Sequence, residues 1–308
     1  MSDPFNLDLV NPADSPTPGW LAAQQRHDLC IRLPDTATQD ANPNQSPRPS
    51  DTSQSMLFVR IPNGSFRIGT RGYFRNEQPV CEVVLSDFYL GVFPVTQSQF
   101  AVWRPDHEHE FSGVGRSRHP AENISWFDAV SYCEWLNATC VSQLPSGYRF
   151  CLPSECQWEY ACRLSADQFG QRQILETEYY TGDGVAALEA AGWYDGNSGD
   201  ATQAVGQKAG TSLGLYDLHG NVYEWCRDAW SSDAYFRYDW GEKNPEVRAA
   251  DVGDSESDAL RVIRGGGWDN SSWVCRAAYR SIRGPDFRFG TLGFRVCACS
   301  GPRAIQHR

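Results

Sequence analysis

The residues of this chain best suited to chemistry are its thiols, one close pair of histidines and a loop-rich stretch near the C-terminus. Eleven cysteines are present. A thiolate is both a nucleophile and a metal ligand, and two held together suit a soft ion such as Cu(I). The count is odd and no Cys-x-x-Cys pair occurs, so the cysteines read as free thiols. Cys297-Ala-Cys299 falls at a strand end and reads as exposed or edge thiols with no assigned chemistry. His107-Glu-His109 could begin a metal site, but it sits in a charged loop with no third ligand in sight, and reads as solvated surface. Neither Gly-x-Gly-x-x-Gly nor Gly-x-Ser-x-Gly occurs, so neither a nucleotide loop nor a nucleophile elbow is supported.

The stretch from Arg264 to Val296 organises the rest. Gly265 to Gly267 give backbone freedom or allow close approach of another segment. Leu292, Phe294 and Val296 alternate as a half-buried strand does. Between them lie aromatic, hydroxyl, guanidinium and carboxylate groups in loop-like sequence, the pattern of a scaffold carrying a functional loop.

With 308 residues the chain can bury a substantial core, and its net charge of −11 argues against nucleic acid or an anionic membrane as partner. Eleven Trp, 13 Tyr and 27 Gly indicate a turn-rich fold with large amphipathic side chains. The N-terminus lacks the basic and apolar regions of a secretion signal, and no run of 18 apolar residues occurs, so a cytoplasmic location is expected.

Residues 1–54 are rich in Pro, Asp, Asn, Gln, Ser and Thr and read as a flexible tail, with Trp20, Leu21 and Leu29 to Leu33 as a segment that could dock. A single folded domain is expected over 55–308. Met56 to Ile61 and Ser65 to Gly69 flank Pro62-Asn63-Gly64 and predict a hairpin. Three short helices carry start signals: Thr96 with Gln99, Ser125, and Ser154 with Gln157. Behind Ser125, Ala129, Tyr132, Cys133 and Leu136 form an apolar helical stripe. Residues 179–210 read as long loops, 226–258 as irregular and acidic, and 261–264 and 292–297 as closing strands.

Several separated motifs share one order: Phe88 to Thr96, Pro120 to Trp126, Arg149 to Glu159, Gly214-Leu-Tyr-Asp-Leu-His-Gly-Asn-Val-Tyr-Glu-Trp225, Arg264-Gly-Gly and Leu292-Gly-Phe-Arg295. Together they resemble the formylglycine-generating enzyme (sulfatase-modifying factor) family over about residues 56–298. The resemblance implies that family's variant of the C-type lectin fold: one α+β domain with short helices, short antiparallel sheets and long loops. It also implies a Ca²⁺ site at Asp217 and Glu224 through side chains and at Gly220 and Val222 through carbonyls, hard oxygen donors of the kind calcium takes. A second family calcium site is not carried over, because Gly192 stands where its Asn is expected.

The family's oxidases convert a cysteine in a Cys-x-Pro-x-Arg segment to formylglycine with copper and dioxygen, the copper held by a Cys-x4-Cys pair after the Gly-Gly. Counted forward from Gly266, the first position is Asn270 and the second is Cys275. Counted backward from Arg276-Ala-Ala-Tyr-Arg280, Cys275 takes the place of an apolar core residue. Either way the pair is broken. Non-oxidase relatives carry Asn at many positions between 269 and 291, and this chain departs at Asp269, Ser271, Val274, Tyr279, Ser281, Ile282, Phe287, Phe289, Gly290 and Thr291. Each departure is reachable from an Asn codon by adenine changes alone, as in variable proteins diversified by retroelements. The sequence therefore predicts a non-catalytic binding module that presents Trp268, Asp269, Ser271, Trp273, Tyr279, Ser281, Phe287, Phe289 and Thr291 to a protein or other ligand. The alternative is a formylglycine-generating oxidase using Cys275, with Cys297 or Cys299 as the displaced copper partner.

Overall fold

The computed structural model describes residues 17–19, 22–23, 27–34, 55–111 and 115–301. Strands in chain order are Leu29–Arg32 (β1), Ser55–Ile61 (β2), Gly64–Ile68 (β3), Cys81–Leu85 (β4), Phe88–Gly91 (β5), Tyr148–Cys151 (β6), Leu164–Ala166 (β7), Arg172–Ile174 (β8), Tyr223–Ala229 (β9), Glu242–Lys243 (β10), Arg261–Arg264 (β11), Ser281–Arg283 (β12), Leu292–Gly293 (β13) and Cys297–Ser300 (β14). They form a five-stranded sheet β1-β2-β5-β14-β6, a four-stranded sheet β12-β11-β9-β13, a three-stranded sheet β10-β4-β3 and the pair β7-β8. Pairing is antiparallel except for β10 with β4 and β13 with β9.

The five-stranded sheet is covered on both faces. Leu57, Val59 and Ile61 join one apolar cluster, and Met56 and Phe58 join the other. A strand buried on both sides needs a continuous apolar run, which is what Met56 to Val59 supplies. The second cluster includes Trp126, Ala129, Tyr132, Cys133 and Leu136 of the helix Trp126–Thr139. All three expected helix starts hold. Thr96, Ser125 and Ser154 each accept from the backbone N–H three residues on, and Gln99, Asp128 and Gln157 return the bond to the cap.

Four expectations are corrected. β2 and β3 do not form a hairpin: β2 pairs with β1 and β5, β3 pairs with β4, and the Pro62-Asn63 turn carries the chain between sheets. Residues 29–32 are not tail, because β1 runs antiparallel along β2 with Ile31 buried; Trp20 and Leu21 lie outside the described residues. Within 179–210 an Ala-rich segment forms the helix Val185–Ala191, where alanine propensity overrides the loop-like surroundings. Finally, 292–297 is not one half-buried strand. β13 lies in the four-stranded sheet and β14 in the five-stranded one, and every residue from Thr291 to Cys299 is buried.

That crossing holds a buried guanidinium, and it is one of several. Arg295 forms 2.7 and 3.1 Å bonds to Glu224 of β9 and directs its remaining donors at the carbonyls of Gly91, Val92 and Tyr216. Arg280 grips Glu155 with two bonds of 2.6 and 2.7 Å. Arg276 binds Glu77 at 2.8 Å, and Arg264 binds Glu159 and the carbonyls of Ala277 and Tyr279. Removing one partner of such a pair strands the other as an unpaired buried charge, at a cost of about 3–5 kcal/mol. Glu155→Ala is therefore expected to lower urea unfolding stability by roughly that amount. A loss below about 1 kcal/mol would show that these pairs do not hold the fold.

Candidate functional site

The candidate surface consists of two loops, 265–280 from β11 to β12 and 284–291 from β12 to β13. Their shape begins at Gly265 and Gly266, with φ of 96° and 73°. Any side chain at 266 would also meet the Cys275 sulfur at 2.7 Å. Asn270 then fixes the turn: its side chain accepts from the Gly267 N–H at 2.9 Å, and its carbonyl accepts from the Asp195 N–H at 3.0 Å. Beyond it, Arg276 and Arg280 point inward to their glutamates, and Arg264 holds the loop's carbonyls from beneath.

Pinned in this way, the loops turn other side chains outward. Asp269, Ser271, Trp273, Phe287 and Phe289 are exposed, and Trp268, Tyr279 and Ser281 are half-buried. Ser271 donates to Asp195 at 3.2 Å, and partial desolvation of its carboxyl raises the pKa of Asp269. Trp273, Tyr279 and Phe74 form a three-ring cluster with centroids 5.5–5.9 Å apart. Phe287 and Phe289 pair at 6.2 Å, and the Trp268 indole donates to the Gly290 carbonyl while its ring meets Phe111.

Thr291 is a correction. It is 4 % exposed and its carbonyl accepts from Tyr223, so it belongs to the sheet and presents nothing. Among the other departures from Asn, Val274 and Gly290 are likewise buried. The sequence reading missed Tyr73 and Phe74, which are 50 % and 43 % exposed. Phe74 connects the aromatic cluster to a groove of about 760 Å³ lined with Arg75, Asn76, Ser232, Asp233 and Phe236. Two adjacent aromatics in the polar run Thr70 to Gln78 were the available signal.

The copper site expected under the oxidase alternative is not assembled. Cys275 is fully buried against Tyr179, Leu188 and Tyr194, and burial pushes its thiol far above the ordinary range. Cys297 and Cys299 belong to a different cluster in the five-stranded sheet, where their sulfurs gather with that of Cys151. β14 lies between β5 and β6, so they are not edge thiols. Beside Cys275 stands His219, also fully buried. Its Nε2 accepts from the Tyr180 N–H at 3.1 Å, so Nδ1 carries the proton and donates to the Cys275 carbonyl at 2.7 Å. His107 and His109 are not solvated as expected. Both contact the Glu122 carbonyl and meet the Phe100 ring edge-on, and burial lowers His109 to about 4.

Of the expected calcium ligands, the two carboxylates already have partners within the protein. Both oxygens of Glu224 receive Arg295, and one also receives the Trp158 indole at 2.8 Å, so a cation there would confront a guanidinium. Asp217 accepts from the Gly206 N–H at 2.7 Å, and burial raises its pKa to about 6.

Short helices, small antiparallel and mixed sheets and long connecting loops define an α+β fold of the formylglycine-generating-enzyme type. The model of the sulfatase-modifying factor enzyme 1-like domain matches residues 42–299, and the chain belongs to that family. It is 30 % identical to the formylglycine-generating enzyme of Thermomonospora curvata, covering 82 % of this chain and 96 % of that protein. It is also 30 % identical to the serine/threonine-protein kinase Pkn1 of Chlamydia trachomatis serovar L2, covering 82 % of this chain but 39 % of the kinase. The chain thus spans well under half the length of that relative. Among solved structures, Treponema denticola variable protein 1 is similar with a TM-score of 0.66 and 26 % identity, covering 80 % of this chain and 95 % of that one.

The His219 contacts set a pH response. Burial lowers the imidazole from 6.5 to about 3, so the unfolded chain takes up this proton well before the folded one does. Stability therefore falls as pH drops from 6.5 toward 3, by up to about 1.4 kcal/mol per pH unit from this group. His219→Asn, which cannot titrate, is expected to lose stability less steeply than the parent in urea titrations between pH 6.5 and 4.5. Parallel curves would place the titration on another group.

Proposed function

We propose that this protein is a non-catalytic recognition module that binds a protein ligand through the outer side chains of residues 268–289. The observation that carries the reading is a division of labour within one stretch. Arg276 and Arg280 are buried and paired, while Trp273 before them and Phe287 and Phe289 after them are 42–47 % exposed. Aromatic rings on rigid loops give large contact area at low entropic cost, and Ser271 and Asp269 add adaptable polar contacts, as in antibody loops. Tyr73, Phe74 and the groove beside them extend the surface.

The same reading makes residues 269, 271, 279, 281, 287 and 289 sites of diversification by adenine-directed mutagenesis. The exposed or half-buried state of these positions is consistent with it, as is the likeness to a protein named as variable. The oxidase reading has less support, because Cys275 is walled in and no second thiol is packed with it in its cluster.

The test is to randomise residues 269, 271, 273, 287 and 289 together on a display platform and select against one soluble protein. Folded binders with submicromolar Kd are expected, losing affinity at least tenfold when their selected residues revert to alanine. Recovery of unfolded variants only, or conversion of a Cys-x-Pro-x-Arg peptide to formylglycine by the parent protein with copper and dioxygen, would overturn the reading.

A further inference from the structure

Away from the candidate surface, three thiols converge on one face of the five-stranded sheet. Cys297 and Cys299 are two residues apart on β14 and therefore point to the same side. Cys151 of β6 lies directly opposite Cys297 in the antiparallel register. The sulfurs of all three lie within 4.8 Å of one another, with Cys151 and Cys299 at 3.5 Å. Sulfurs bound to one metal at about 2.3 Å stand roughly 3.8–4 Å apart, whereas a disulfide needs about 2.05 Å. The spacing matches shared coordination.

We propose that Cys151, Cys297 and Cys299 form a three-thiolate site for one soft, thiophilic d¹⁰ cation, Cu(I) or Zn(II). The surroundings suit it. Cys297 is fully buried, Cys299 is 7 % exposed and Cys151 is half-buried, so the three sulfurs are held away from bulk water. The Arg227 guanidinium, paired with Glu246 at 2.5 Å, also lies beside Cys151 and Cys299, where its positive charge partly offsets the surplus negative charge of three thiolates around one cation. Its Nε is buried without a hydrogen-bond partner. Gln157 Oε1 is 3.8 Å from the Cys297 sulfur and already accepts the Ser154 N–H, so its second lone pair is the oxygen donor available to complete a tetrahedral zinc shell. With three sulfurs alone the site fits Cu(I). Because β6 is the last strand of the sheet, a bound ion would clip that edge strand to β14.

The full-length reduced protein, stripped of metal, is titrated anaerobically with Cu(I) and separately with Zn(II), each against a calibrated chelator. One equivalent is expected to bind, at least 100-fold more weakly in Cys151→Ser and Cys299→Ser and unchanged in Cys275→Ser. X-ray absorption of the loaded wild-type protein is expected to show three sulfurs around copper, or three sulfurs and one oxygen around zinc. That count does not depend on how the variants fold. Fewer than three sulfurs, binding indifferent to Cys151 and Cys299, or a disulfide within the trio in protein isolated without oxygen would overturn the proposal.

Discussion

The structure depends on the pairing of buried arginines with buried glutamates. Arg264, Arg276, Arg280 and Arg295 all belong to the C-terminal stretch, and their partners come from three earlier parts of the chain: Glu77, the helix Glu155–Arg163 with Glu155 and Glu159, and Glu224 of β9. A buried guanidinium is costly wherever a donor goes unpaired, since that donor has lost its hydration; among these four only the Arg264 Nε lacks a hydrogen bond, and it lies 3.6 Å from Glu155. Arg295 shows the consequence most fully. Its donors meet Glu224 and three backbone carbonyls, and so fix the point where the chain leaves one sheet for another.

With their inward residues tied down, the loops need little from their outward ones. Trp273 and Arg276 are three residues apart, yet the tryptophan ring is 47 % exposed while the guanidinium is buried on Glu77. Asn270 and His219 act with the arginines: one fixes the turn after Gly267, and the other holds the Cys275 carbonyl from below. Rigidity and variability can then coexist in one segment, because they belong to different side chains. A binding surface gains from this arrangement, since preordered loops lose less entropy when a ligand arrives.

Local signals in the sequence were legible and long-range partnerships were not. The capping boxes at Thr96 and Ser154 follow from residues three apart, and the Gly265-Gly266 bend follows from residue type alone. The ion pairs could not be read, because Arg276 and Glu77 are separated by 199 positions and nothing local distinguishes a buried arginine from a solvated one. Thr291 was misplaced for the same reason: a threonine after a loop looks exposed until its backbone carbonyl is seen to accept from the Tyr223 N–H. β1 lies in tail-like composition, where Leu29 to Leu33 showed only as a segment that could dock, and the Cys151–Cys297–Cys299 trio exists only through strand register.

The most direct test is one variant in which Asp269, Ser271, Trp273, Phe287 and Phe289 are all replaced by alanine, its unfolding free energy compared with the parent. If these side chains serve a ligand and the buried pairs hold the loops, the loss should stay under about 2 kcal/mol, as exposed substitutions usually do. A loss above about 4 kcal/mol, or a protein that no longer folds, would mean that the outer residues build the fold. They would then not be free to serve as a recognition surface.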